Sequence, residues 1–159
     1  MSNQLAIKMV LDTWHSKIKE TDSLIDKLSD EQLQQEVSPG RNRGIYLIGH
    51  LVAVHDHLLP LLGFGENSYP ELLETFIKHP DKTRDITIST TELRKFWKSI
   101  NTSLANHFNN LSTDEWFEKH TSVSAADFQK EPHRNKLNVI ISRTNHLSYH
   151  NGQLALLIK

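Results

Sequence analysis

Apolar residues recur along this chain with the period of a helix in four separate stretches. Ile7, Leu11, Trp14, Ile18, Ile25 and Leu28 fall on steps of three, four or seven, which predicts a first helix with Ser2 or Asn3 as its N-cap. A second helix is expected from about Arg43 to Leu59, after the turn signal Ser38-Pro39-Gly40. Its apolar positions nearly encircle it, so it should be the most buried of the four. Pro60 cannot donate a backbone hydrogen bond and Gly63 and Gly65 follow, which places its end there. The third opens on Ser89 and Glu92 at capping-box spacing and carries Leu93, Phe96, Trp97, Ile100, Leu104, Phe108 and Leu111. The fourth starts near Asn135, holds Leu137, Ile140, Ile141, Leu147, Leu154 and Ile158, and runs almost to the last residue.

The connections are unequal. Residues 63–88 form a long crossover with a short helix expected at Pro70–Ile77, closed by His79-Pro80. Residues 117–134 read as a second long loop, and long loops in a compact domain are often functional. A short echo links the halves: Leu28-Ser29-Asp30-Glu31-Gln32-Leu33 follows the first helix and Leu111-Ser112-Thr113-Asp114-Glu115-Trp116 the third. Each sets Ser three residues before Gln or Glu, so each should start a helical turn. The chain therefore reads as one all-α domain over residues 1–159, a four-helix bundle of two αα-hairpins with long crossovers.

Composition removes several functions. The chain has 159 residues, a formal net charge of -1 and evenly spread cations, which gives no electrostatic case for nucleic acid. Cysteine is absent, so disulfides, thiolate metal sites and a cysteine nucleophile are excluded. With an N-terminal segment that turns charged too early for a secretory signal, this predicts a cytoplasmic protein. The apolar stretch Ile45–Leu62 is interrupted by Gly49, His50, His55, Asp56 and His57, and is read as a core helix and not a membrane span.

Ten histidines remain as candidate chemistry. His146 and His150 are four apart, so a helix stacks both imidazoles on one side. His50 lies in the strongly apolar second helix. If the two helices pack together, three neutral nitrogens converge on one divalent metal and leave a coordination position open. The alternatives are ordinary ones. A single histidine on an apolar helix is usually a core residue with its nitrogens satisfied, and spaced pairs occur on surface helices. The pair lacks the Glu of H-E-x-x-H. Gln153 is either a partner for an imidazole nitrogen or a surface helix former. Gly49 and Gly152 suggest close helix approach beside the metal, since Gly in a helix costs about 1 kcal/mol relative to Ala. Tyr149 reads as packing, and Trp14, Trp97 and Phe96 as either core or interface. His57 is expected to be partly exposed, with His55 pointing elsewhere. His15, His79, His107, His120 and His133 read as surface or loop residues.

Two motifs carry a family resemblance: Ile48-Gly49-His50-Leu51 in the second helix, and His146-Leu147-Ser148-Tyr149-His150-Asn151-Gly152-Gln153 in the last. With the order of elements, they make the chain similar to the DinB/YfiT-like family of metal-dependent enzymes over nearly its full length. The resemblance implies an up-down-down-up four-helix bundle, a divalent metal held by His50, His146 and His150, and a homodimer. One departure is Ile45 and Tyr46 where family members often have Trp, which bears on the pocket wall. It further implies a metal acting as Lewis acid, zinc or nickel being favoured, on a small-molecule substrate. Thiol-dependent S-transfer with a low-molecular-weight thiol ranks above hydrolysis, because water activation wants a carboxylate base and none stands beside the ligand pair. Asp56 is poorly placed for that role, and Asp12 has none assigned. No catalytic residue follows beyond the ligands. The competing expectations are a non-catalytic bundle stapled by a closed metal site, with His57 as a fourth ligand, and a metal-free ligand-binding bundle.

Overall fold

A computed structural model describes residues 2–158 of the protein, and among these it is all-helical. Helix α1 (Asn3–Lys27) starts at Ser2, whose hydroxyl accepts the Leu5 N–H at 3.3 Å. The echo turn follows as α2 (Asp30–Leu33), closed by a Ser29/Gln32 capping box. Helix α3 (Gly44–Asp56) continues after a break at His57 into α4 (Leu58–Leu62), which ends on left-handed Gly63. Helical structure thus passes Pro60 and stops at Leu62, three residues beyond the expected Leu59. The break explains the tolerance: Pro60 falls in the first turn of α4, where the N–H it lacks would have had no partner within that helix.

The crossover carries α5 (Leu72–Phe76), shorter than the span read from sequence. Helix α6 (Thr90–Asn110) opens on the expected Ser89/Glu92 capping box, and the second echo forms a 3-10 turn at Glu115–Phe117. Residues 117–134 are not all loop. Ser124 caps α7 (Ala125–Lys130), a helix with no buried residue and therefore no apolar period to betray it. Helix α8 (Lys136–Ala155) starts at Asn135, whose side chain accepts the Asn138 N–H at 2.9 Å. Ile141 and Ile158 point outward, while Leu157 takes a core place.

Residue pairs fix the helix directions. Thr21 Oγ1 lies 2.8 Å from Asn151 Oδ1, and the Met9–Thr13 stretch borders Ile141–Asn145, so α1 and α8 run parallel. Trp97 donates to Asp22 at 2.7 Å and Arg94 donates to the carbonyls of Ile25 and Leu28, so α6 runs against α1. Asn101 meets His55, while Thr90 and Ile45 border one surface cleft at the other end, so α3 parallels α6. The result is up-down-down-up.

The two echo turns each plant their last residue, Leu33 and Trp116, in the core. The bundle's centre is aromatic. Trp14 and Trp97 flank His55 with ring centroids 4.9 and 4.8 Å away, and Trp14 also meets Phe108. Burying each such ring contributes about 2–3 kcal/mol. Trp14 and Trp97 are thereby core and not interface. The α3–α4 stretch, Gly44–Leu62, has the length and hydropathy of a membrane span, but 78% of its apolar window is buried inside the bundle. That burial is what a core helix requires.

Candidate metal centre

His50 faces α8 from the middle of α3, and His146 and His150 face back from successive turns of α8. Their Nε2 atoms converge: His146 Nε2 is 3.1 Å from that of His50 and 3.1 Å from that of His150. Zinc–imidazole bonds of 2.0–2.1 Å at a tetrahedral angle would set nitrogens about 3.3 Å apart, so the spacing suits one small cation.

The outer nitrogens settle the tautomers. His50 Nδ1–H donates to the Phe76 carbonyl at 2.8 Å, and His150 Nδ1–H donates to Gln153 Oε1 at 2.7 Å. Both acceptors lack a proton to give, so the Nε2 lone pairs of His50 and His150 are bare and aimed at His146. A proton on His146 Nε2 serves only one of them. Burial, reinforced by the neighbouring His150 and His50, pushes His146 down to about 4, so at neutral pH the cluster does not hold that charge itself. Burial also lowers His50 and His150. Three neutral imidazoles with converging lone pairs form a group that can hold a metal ion.

The surroundings divide into those the sequence indicated and those it hid. Gln153 is the imidazole partner and not merely a surface residue. Gly49 is needed for close approach, but to the crossover: a Cβ there would overlap the Phe76 ring, and the same residue's carbonyl orients His50. Tyr46 stacks at 10° to His50 and donates to the His79 carbonyl at 2.8 Å, walling the side of the site. Gly152 faces open space, so no helix approaches there. Tyr149 is 64% exposed and accepts from Gln153 at 3.3 Å, so it does not pack in the core.

Neither aspartate serves the site. Asp12 lies exposed in an ion pair with Lys8. Asp56 is buried and accepts from Asn67 and from the Ser68 and Tyr69 N–H groups, pinning the crossover. Among the described residues no carboxylate acts on the three imidazoles, whereas Arg143 acts on His50 and His146. Arg143 was missed in the sequence although it sits three before His146 and seven before His150, on their face of α8. His57 is exposed and outside the trio. His55 does point elsewhere, donating through Nδ1–H to Asn101 at 2.8 Å. His79, His107 and His120 are half-buried, His107 stacking on Phe64.

Comparison with known structures bears on the fold. No family model matches the sequence, and no curated protein does. Among solved structures, a DinB-like protein from Bacillus cereus superposes with a TM-score of 0.66 at 18% identity, covering 93% of this chain and 87% of that one. The chain has the DinB-like fold. A conserved protein from Enterococcus faecalis also matches, with a TM-score of 0.64 at 12% identity over 94% of this chain and 93% of that one. In this DinB-like bundle the three imidazoles lie where α3 and α8 cross.

Proposed function

We propose that this protein is a metal-dependent enzyme that transfers a low-molecular-weight thiol to a small electrophile. The observation that carries the reading is the convergence of three Nε2 atoms, those of His50 and His150 bare, with no carboxylate among the described residues acting on them. His50, His146 and His150 would hold the ion, zinc or nickel suiting three imidazoles. A divalent ion bound there supplies a Lewis acid with an open position for an anionic nucleophile.

The chain's own residues argue for sulfur over water. A thiol ionises near neutral pH and needs little help, whereas water activation wants a nearby base. Among the described residues the fixed charge acting on His50 and His146 is the cation Arg143, which favours an anion. In the transfer, sulfur bonds to the electrophilic carbon, the leaving group departs with its electron pair, and the thiol proton passes to solvent. Gln153 and the Phe76 carbonyl hold two ligands in fixed tautomers, and the Tyr46 ring limits water on one side. The non-catalytic alternative wanted His57 as a fourth ligand, and His57 stands apart from the trio.

The test is metal content by mass spectrometry on untagged protein, with His50→Ala and His146→Ala alongside. A near-stoichiometric divalent ion lost in both variants is expected. Protein so loaded should then conjugate a simple thiol to an aryl halide. Absence of metal after reconstitution with zinc and nickel overturns the proposal, and loaded protein that hydrolyses esters but ignores thiols overturns the transfer.

A further inference from the structure

Among the described residues, Arg143 is a cation with a buried nitrogen and no partner in the fold. Arg143 is half-buried on α8, its Nε is sealed from solvent, and no acceptor reaches that atom. No carboxylate acts on it; burial alone disturbs it. Burying an unpaired guanidinium nitrogen is costly, so its retention calls for an acceptor supplied from outside. Arg143 lines a cavity of about 430 Å³, within the range of small-molecule sites. His57, His120, Arg134, Asn138 and Ser142 share the lining, and no Asp or Glu does. Arg134 is engaged with Glu131 at 3.1 Å on the solvent side. His120 adds a second orphan, its buried Nδ1 having no partner. Two residues that each carry an unsatisfied nitrogen, one on α8 and one in the loop before α7, thus line one cavity with no acid in its lining. Arg143 is also near enough to the imidazoles for its charge to be felt by His50 and His146.

We propose that this cavity is an anion subsite in which Arg143, assisted by His120, binds a carboxylate or phosphate of the substrate and so directs its thiol toward the three imidazoles. The binding of the anion stands on the cavity alone; the direction of the thiol rests on the metal-dependent reading above. A guanidinium can offer two parallel hydrogen bonds to either anion, which fixes orientation as well as affinity.

The subsite is tested first on metal-free protein, by calorimetric titration with succinate and, separately, inorganic phosphate. One of the two should bind, which distinguishes the carboxylate from the phosphate, and Arg143→Gln should weaken it about tenfold or more. No binding of either anion, or binding that Arg143→Gln leaves intact, overturns the subsite. Arg143→Met should melt no lower than wild type, because it removes an unpaired buried cation; a lower melting temperature makes Arg143 structural and overturns the proposal. Second, cobalt-loaded protein is titrated with mercaptosuccinate and with 2-mercaptoethanol, read by sulfur-to-cobalt absorption. The acidic thiol should bind about tenfold tighter, and Arg143→Gln should abolish that advantage while leaving cobalt content unchanged. Equal affinities in wild type overturn the directing role. Failure to take up cobalt, with the anion titrations intact, overturns only the metal reading.

Discussion

The two halves of this bundle follow one plan and hold their ligands differently. Each is a long helix, a capped turn and then a ligand-bearing helix, and each ligand helix is entered through an isolated antiparallel bridge, Glu36 to Arg43 in one half and Lys119 to Asn135 in the other. In the second half, His150 is oriented from its own helix by Gln153, three residues on. In the first half, His50 is oriented by a backbone carbonyl 26 residues away in the crossover. One ligand is set by helix geometry and the other by a loop folding correctly over it. His146 is set by neither, since its Nδ1 is buried without a partner. The first half therefore depends on long-range packing in a way the second does not.

The largest test of that difference uses acid. His55 of the first half is buried between two tryptophans, and burial pushes it down to about 3 from an ordinary 6.5. A histidine depressed in the fold stabilises at pH above its unfolded value. As pH falls from 6.5 towards 3 the unfolded chain takes up the proton and the fold does not, so stability drops by about 1.4 kcal/mol per pH unit. Thermal melting at pH 7.5, 6, 5 and 4 should show at least this slope in metal-free protein, and His55→Phe should flatten it. An unchanged slope would mean His55 is protonated in the fold.

Gly49→Ala comes next. The added methyl meets the Phe76 ring, and overpacking of this kind costs about 1–3 kcal/mol. Because Phe76 also orients His50, metal affinity should fall with stability, measured by melting and competitive chelation. Substituting Gln153 by Met should instead weaken metal binding about 10- to 100-fold with little change in melting of the metal-free protein. Equal losses of stability in these two variants would erase the contrast between the halves. The smallest effect belongs to Gly152→Ala. With open space at that position, it should raise stability by about 0.5–1 kcal/mol and leave metal content unchanged.

The same contrast decides what could be read from the chain. The four long helices were legible because their apolar period and caps at Ser2, Ser89 and Asn135 are local signals. His146, His150 and Gln153 were legible because they depend on spacing within one helix, whereas His50 was legible only as a histidine in a strongly apolar helix. The role of Phe76 was not, since a backbone carbonyl leaves no trace in residue type. Gly49 and Gly152 look alike in sequence and differ in what faces them, which only tertiary packing determines. Helix α7 was missed because nothing on it is buried. Arg143 was overlooked because a cation among polar residues looks ordinary until its lack of a partner is seen.

The crossover is fastened to both ends of α3. Arg43 at the start grips Asp81 at 2.7 Å, and Asp56 at the end holds the Asn67–Tyr69 backbone and side chain, with the Phe76 contact between them. The segment works as a splint on the helix it crosses. A redesign that trimmed it to a tight turn would keep every histidine and lose the alignment of His50, leaving a bundle that carries the right ligands in the wrong posture.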